Sequence, residues 1–324
     1  MPRWPRKRIF QTVLKVAIFI VSIQMILMIV FSSKRLPDQQ SGSQRKNGAP
    51  QRVWPAMKKR IPLNYKEAVK LYNAAWALRN KRPKDCVKPV FSKHDLPRVA
   101  LASYPGSGNT WVRHLVQQAT GIVTGSEYLD MGLSSAGMIG EGYNGSNAIM
   151  IKTHEFGADK RKGFDKAVLI IRNPYDAMMS EFHRRQGGHL GHAKSKHFTD
   201  GTTWPEYIRF EAKRWLMFNL DWLHLFEKPL MVLAYSDLLK NTHDTVVRLT
   251  KFLNISVTEE RIQCVLENSQ GKFQRYARKV IDFDPYNKSM RRKIDAYLNI
   301  TNIALNVRKA ELDARHSFDG VQTL

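Results

Sequence analysis

The sequence predicts an α/β domain, a parallel sheet flanked by helices on both faces. Three observations predict it. Short apolar runs recur at Val99–Ser103, Ala148–Thr153, Ala167–Arg172 and Leu230–Tyr235. Helical periodicity fills the gaps, with a helix opening near Asn109 and others at Pro174–Arg185, Trp204–Phe226 and Asp237–Leu253. The first run also ends in a glycine-punctuated turn, Tyr104 to Gly108, that feeds straight into its helix. Strand, helix, strand in this rhythm is the pattern of a parallel sheet covered on both sides. Ligands of such sheets sit at the carboxyl ends of the strands, so the residues after each strand are the candidates for function.

The N-terminal segment comes first. MPRWPRKR is basic, and residues 9–31 are largely apolar, long enough to reach the roughly 20 residues that cross a bilayer. A cleaved signal peptide is the rival reading, but no small-x-small cleavage site follows the apolar run. Arg3, Arg6, Lys7 and Arg8 favour a cytoplasmic N-terminus. The expected organisation is a cytoplasmic tail (1–8), a transmembrane signal-anchor (9–31), a polar stem (32–62) and a lumenal domain (63–324), a single-pass type II membrane protein.

Within the domain, Tyr65–Leu78 carries an amphipathic pattern, and Lys81–Pro97 is a basic, proline-broken lead into the first strand. Val99–Ser103 is a buried strand. The turn that follows collects main-chain N–H groups without helical partners, which makes an anion, most often a phosphate, its natural occupant. The rival reading is a tight βα turn that binds nothing. Gly108 is followed by Asn109 and Thr110, so the lysine of G-x-x-x-x-G-K-[ST] is missing and nucleoside triphosphate hydrolysis is a poor fit. Val112, Leu115, Val116 and Ala119 share one face of the helix, as packing on a sheet requires.

A glycine-rich loop spans Thr120–Ser146. After the second strand run stands His154, with Lys152 two residues earlier on the same side. After the third come Arg172, Asn173 and Pro174, with Ser180 on the next helix; after the fourth come Tyr235, Ser236 and Asp237. Each has a bland alternative: a surface histidine, an ion-paired arginine, a core tyrosine. Arg184–His197 holds three histidines and several bases, and reads as a mobile, basic acceptor-binding loop rather than a metal site. Ser289–Leu312 is patterned as a helix.

Composition narrows the partners. The net charge is +24, and +17 remains once residues 1–35 are set aside, which points to acidic ligands. Lumenal placement and the lack of an RNA-binding or zinc-finger signature argue against nucleic acid. Asn144, Asn254, Asn287 and Asn299 each open an N-x-[ST] glycosylation acceptor. Cys86 and Cys264 are the only cysteines; they form one disulfide or stay as buried thiols.

Four motifs now stand in order: Tyr104-Pro-Gly-Ser-Gly-Asn-Thr-Trp111, Lys152-Thr153-His154, Arg172 with Ser180 eight residues on, and Tyr235-Ser-Asp-Leu238. Together they resemble the sulfotransferases that use 3′-phosphoadenosine 5′-phosphosulfate (PAPS), whose first motif is a loop like YPKSGTTW. More narrowly, SYPGSGNTWVRHLVQQATGIVTGSEY is similar to the WSCD family of membrane-anchored sulfotransferase-like proteins. With two cysteines this chain has no room for the cysteine-rich WSC modules, and would be a short member.

The resemblance implies a P-loop-like sulfotransferase fold and a Golgi setting. It also implies that the donor's 5′-phosphosulfate lies on the loop amides and hydroxyls of Gly106, Ser107, Gly108, Asn109 and Thr110. The 3′-phosphate would meet Arg172 and Ser180, with Tyr235 beside them; Trp111 either stacks on adenine or packs in the core. Arg278 and Lys279 would close over the 3′-phosphate, or belong to a solvated basic face. His154 is the implied general base and Lys152 the group steadying the leaving oxygen; no metal is required. The loop lysine of YPKSGTTW is Gly106 here. Two readings follow: a sulfotransferase acting on a glycan hydroxyl, and an inert membrane-anchored protein of the same fold that binds a glycan or nucleotide. A third reading, a nucleotide kinase, fails on the missing P-loop lysine.

Overall fold

The computed structural model describes Lys66, Lys70, residues 86–271 and residues 281–319, with side chains of the last helix described as far as Glu311. The expected anchor (9–31), the stem and most of the Tyr65–Leu78 helix lie outside the described residues, as do Arg278 and Lys279. Among the described residues no helix is long and apolar enough to cross a membrane.

The described strands are β1 (Val99–Ser103), β2 (Gly125–Ser126), β3 (Ile151–Thr153), β4 (Lys166–Ile171) and β5 (Leu230–Ala234), in the order β2-β3-β1-β4-β5. Every pairing is parallel. The helices are α1 (Asn109–Thr120), α2 (Met131–Ser135), α3 (Ala158–Arg161), α4 (Pro174–Gly187), α5 (Lys196–Thr199), α6 (Thr203–Leu225), α7 (Tyr235–Lys240), α8 (Thr242–Phe252), α9 (Glu259–Glu267) and α10 (Lys288–Asp319).

Side chains alternate across a strand, so each central strand feeds two cores. Val99, Leu101, Val168, Ile170 and Leu233 pack with Val112, Leu115 and Val116 of α1, Val246 and Leu249 of α8, and Ile262 of α9. Ala100, Ala102, Ala167 and Leu169 point the other way, towards Met178 and Phe182 of α4, Trp215 and Trp222 of α6, and Ile294 of α10. The helix after β1 and the helix after β4 thus lie on opposite faces. The point where their connections diverge, at the carboxyl edge between β1 and β4, is where an open parallel sheet places its ligand.

Register fixes what lines that edge. Thr153 pairs with Ala102, Ile170 with Ser103, and Ala234 with Ile171. Continuing that register, His154 stands level with Ser103, and Arg172 and Tyr235 stand level with each other just beyond Tyr104, all on one edge of the sheet.

Four departures from the sequence reading go beyond shifts of one or two residues at element ends. Only Ile151–Thr153 of the expected Ala148–Thr153 run is strand, because the chain before it bends. Gly125–Ser126 adds an edge strand inside the expected loop. Asp237–Leu253 is two helices broken at Asn241, and the first begins at Tyr235, which is a helix N-terminus rather than a strand end. The C-terminal helix is 32 residues long.

The glycine-rich loop is anchored by a buried ion pair. Arg113 of α1 donates to Glu141, and its Nε also donates to Thr124 Oγ1 at 2.9 Å; both charged side chains are 0% exposed. Cys86 and Cys264 form a disulfide that ties the lead into β1 to α9. Of the glycosylation acceptors, Asn254, Asn287 and Asn299 are exposed and Asn144 is half-buried. Thr301, the hydroxyl partner of Asn299, is buried in α10 and donates to Tyr297 O at 2.9 Å.

Candidate active site

The turn after β1 is built on two glycines with left-handed backbones, Gly106 (φ 80°) and Gly108 (φ 92°), the latter at the N-cap of α1. No side chain caps that helix, so its first N–H groups are presented to the loop. Ser107 is buried, and its Oγ has no hydrogen-bond partner among the described residues. An orphaned hydroxyl beside uncapped amides is what a bound anion would satisfy. Asn109 Nδ2 donates to Leu101 O at 2.9 Å and to Ser103 Oγ at 3.2 Å, which pins the loop to β1 and leaves its main-chain N–H as its contribution to a ligand. Thr110 is half-buried in the first turn of the helix.

Gly106 is required twice over. A Cβ there would lie 2.4 Å from Ala177 O and 2.9 Å from Glu181 N, on the main chain of α4, in a backbone conformation that disfavours any side chain. The loop and α4 touch at main-chain distance. Gly108 has a comparable neighbour: a Cβ would come within 2.5 Å of Tyr235 Cε2.

Arg172 joins these parts. Its Nη1 donates to Gly106 O at 2.8 Å, and its guanidinium lies 4.4 Å from the centre of the Tyr235 ring. Its main-chain carbonyl accepts from Trp215 Nε1 at 3.2 Å, while Nε is buried and unpartnered among the described residues. Ser180 sits half-buried on α4, the helix that Pro174 opens and Asn173 caps at Tyr175 N. Trp111 packs by its edge on Tyr235, 5.9 Å between centres, and its Nε1 donates to Ser269 O at 2.9 Å. The half-buried indole thus wedges α1 against the segment after α9.

His154 stands at the end of β3. Its Nδ1 lies 2.7 Å from Ser103 O. A carbonyl only accepts, so Nδ1 carries the proton and Nε2 carries the lone pair. Burial, and next the charge of Lys152, push the imidazole down to about 3, so it is neutral at physiological pH. The Tyr128 ring stacks on it at 5.5 Å, and Tyr128 Oη accepts the His154 main-chain N–H at 2.8 Å while donating to Glu155 Oε1 at 3.2 Å. Lys152 is buried two residues earlier, its ammonium 5.6 Å from the Tyr128 ring centre. Burial pulls its pKa down against the attraction of Glu141.

The chain matches the family model described as "Sulfotransferase domain" over residues 96–280. It belongs to that family. A WSCD family member of Drosophila melanogaster is 40% identical over 197 residues, which are 60% of this chain and 62% of the relative. A WSCD family member of Aedes aegypti is 39% identical over 198 residues, 60% of this chain and 62% of the relative. The chain thus spans about 62% of the length of these relatives. Sulfotransferase 6B1 of Homo sapiens is 26% identical over 202 residues, 56% of this chain and 62% of the relative. Among solved structures, mouse sulfotransferase SULT7A1 complexed with PAP aligns with a TM-score of 0.44 at 17% identity, covering 70% of this chain and 91% of that one.

Within this sulfotransferase domain the structure gathers most of the residues that the sequence singled out. The turn 106–110, Arg172 and Tyr235 interlock, and His154 and Lys152 stand one strand away across β1. Tyr128 and Ser103 went unnoticed in the sequence, because their contacts to His154 span 26 and 51 residues. So did Glu181, although its spacing of three and four from Arg184 and Arg185 on a helix was a readable sign.

The Arg184–His197 segment departs from expectation. Part of it is the last turn of α4, and the rest is tied down: His189 Nε2 lies 2.6 Å from Asp130 Oδ2, and Ala193 N donates to His183 Nδ1 at 3.1 Å. It is a pinned loop, not a loose one. Among the described residues no group of three or more His, Cys, Asp or Glu is placed to hold a metal ion.

Proposed function

We propose that this sulfotransferase domain moves a sulfuryl group from PAPS to a hydroxyl of a glycan, with His154 as general base. The observation that carries the reading is the pairing of an orphaned Ser107 hydroxyl in an uncapped helix turn with a histidine one strand away whose tautomer is fixed. The residues present fit the donor. Main-chain amides at 106–110 with the Ser107 and Thr110 hydroxyls suit its 5′ end, and Arg172 with Ser180 suits a 3′-phosphate. The buried Arg172 Nε, unpartnered among the described residues, is a further donor for that phosphate.

When bound, PAPS supplies a sulfuryl group on a phosphate leaving group. The chain's own residues position and neutralise charge, as transfers of this kind require. His154 Nε2 accepts the acceptor hydroxyl's proton, and the Ser103 carbonyl steadies the imidazolium through Nδ1–H. Lys152, in a dry site, stabilises charge on the departing oxygen. A neutral imidazole needs no deprotonation before it acts.

Anchoring by residues 9–31 and a lumenal, Golgi location belong to the same proposal. The Cys86–Cys264 disulfide supports an oxidising compartment, and the +17 body supports an acidic glycan as acceptor. Transfer of labelled sulfate from PAPS to a glycan panel tests the function. Wild-type protein is expected to label at least one glycan, and His154→Ala to lower turnover by about 10²–10⁴-fold. Equal transfer by both proteins would remove His154 from the chemistry, and no transfer to any glycan would favour the inert binding protein.

A further inference from the structure

A sulfuryl group passing between the cradle and His154 carries negative charge on its oxygens. The neighbouring groups answer it incompletely. Gly106 offers no side chain, His154 is neutral, Lys152 is assigned to the departing oxygen, and Arg172 Nη1 is engaged with Gly106 O. On α4, beside the Gly106 turn, stands Glu181 with its arginine partners.

Glu181 is, with Ala177, a residue of α4 that meets the loop: a Cβ on Gly106 would lie 3.3 Å from Glu181 Cβ. Arg184, three residues on, grips that carboxylate with two parallel bonds, Nε to Oε2 and Nη2 to Oε1, both 2.6 Å. Glu181 is 0% exposed, whereas the Arg184 side chain is 37% exposed. Arg185 completes the neutralisation from the inside. Its Nε donates to Glu181 at 2.8 Å and its Nη2 to Glu211 at 2.7 Å, while Tyr104 Oη donates to Glu211 at 2.6 Å. Two arginines therefore flank one carboxylate, and the outer one keeps Nη1 outside these bonds.

We propose that Arg184 is a further catalytic residue of this site: held in a fork by buried Glu181, its guanidinium binds the oxygens of the transferring sulfuryl group. The inference rests on the PAPS reading above. In the step it serves, the acceptor oxygen forms a bond to sulfur as the bond from sulfur to the bridging oxygen breaks. The hydroxyl proton goes to His154 Nε2, and 3′-phosphoadenosine 5′-phosphate (PAP) leaves with the electron pair. Arg184 keeps its protons throughout.

PAP lacks the sulfuryl group and so isolates the contact. Titration calorimetry of the full-length chain with PAPS and with PAP, for wild type, Arg184→Gln and Arg184→Lys, is the test. Arg184→Gln is expected to weaken PAPS by about 10–100-fold, the range of a charge-assisted hydrogen bond, and to leave PAP unchanged. Arg184→Lys keeps Glu181 neutralised but lacks the fork, and is expected to give an intermediate ratio of PAPS to PAP affinity. A wild-type ratio in both variants, or equal weakening of the two nucleotides, overturns the role of Arg184. Wild-type protein that binds neither nucleotide overturns the donor reading itself, and Arg184's role with it.

Discussion

Restoring a lysine at Gly106, where the resembling loop YPKSGTTW has one, is expected to damage this protein rather than improve it. The backbone there is left-handed (φ 80°), a conformation that costs a residue with a Cβ about 1–2 kcal/mol. The new Cβ would also be driven to 2.4 Å from Ala177 O and 2.9 Å from Glu181 N. Both are main-chain atoms in α4 and cannot swing aside, so overpacking adds about 1–3 kcal/mol. The sum, about 2–5 kcal/mol, is a large part of an ordinary domain's stability of about 5–15 kcal/mol.

Displacing α4 would also pull Gly106 O from Arg172 Nη1, now 2.8 Å apart, and so loosen the cradle. Urea unfolding of the full-length chain, followed by fluorescence of the buried Trp204, Trp215 and Trp222, measures the loss. A midpoint lower by about 1–2 M is expected. A Gly106→Lys protein with the wild-type midpoint and faster sulfate transfer would refute the reasoning. It would show that the turn accommodates the family's side chain after all.

Two further outcomes follow from particular residues. His154 is pushed down to about 3 in the folded chain against an ordinary value near 6.5, so between those values the unfolded chain binds the extra proton. Its contribution to stability is therefore whole above about pH 6.5 and declines as the pH falls towards 3; His154→Gln should flatten that part of the stability profile, and an unchanged slope would count against the buried neutral imidazole. The Cys86–Cys264 bridge spans 178 residues, and closing so long a loop removes about 5 kcal/mol of unfolded-chain entropy. Paired Cys86→Ser and Cys264→Ser substitutions should lower the melting midpoint by several degrees, and reducing agent should do the same to wild type but not to the variant.

Much of this site was legible because its residues follow strands. An apolar run and the polar residue after it are adjacent in sequence, so Arg172, His154 and Tyr235 could be assigned to one sheet edge before any contact was known. The edge strand Gly125–Ser126 could not, since two residues carry no periodicity and pairing with β3 alone defines them. Tyr128 was hidden for a related reason: it follows that edge strand, and the pairing of β2 with β3 is what brings it beside His154. The necessity of Gly106 was equally invisible. A missing lysine reads in sequence as a lost function, whereas the structure shows a main-chain contact with α4 that only glycine permits.

The central claim is that the turn at 106–110 and Arg172 together hold a nucleotide phosphorylated at both ends. Titration of the full-length chain with PAP and with adenosine 5′-phosphate measures it most directly. PAP is expected to bind at least about tenfold more tightly, a gain of about 1.4 kcal/mol from the 3′-phosphate, and Arg172→Gln to erase that preference. Equal affinity for the two nucleotides in the wild-type protein would contradict the account.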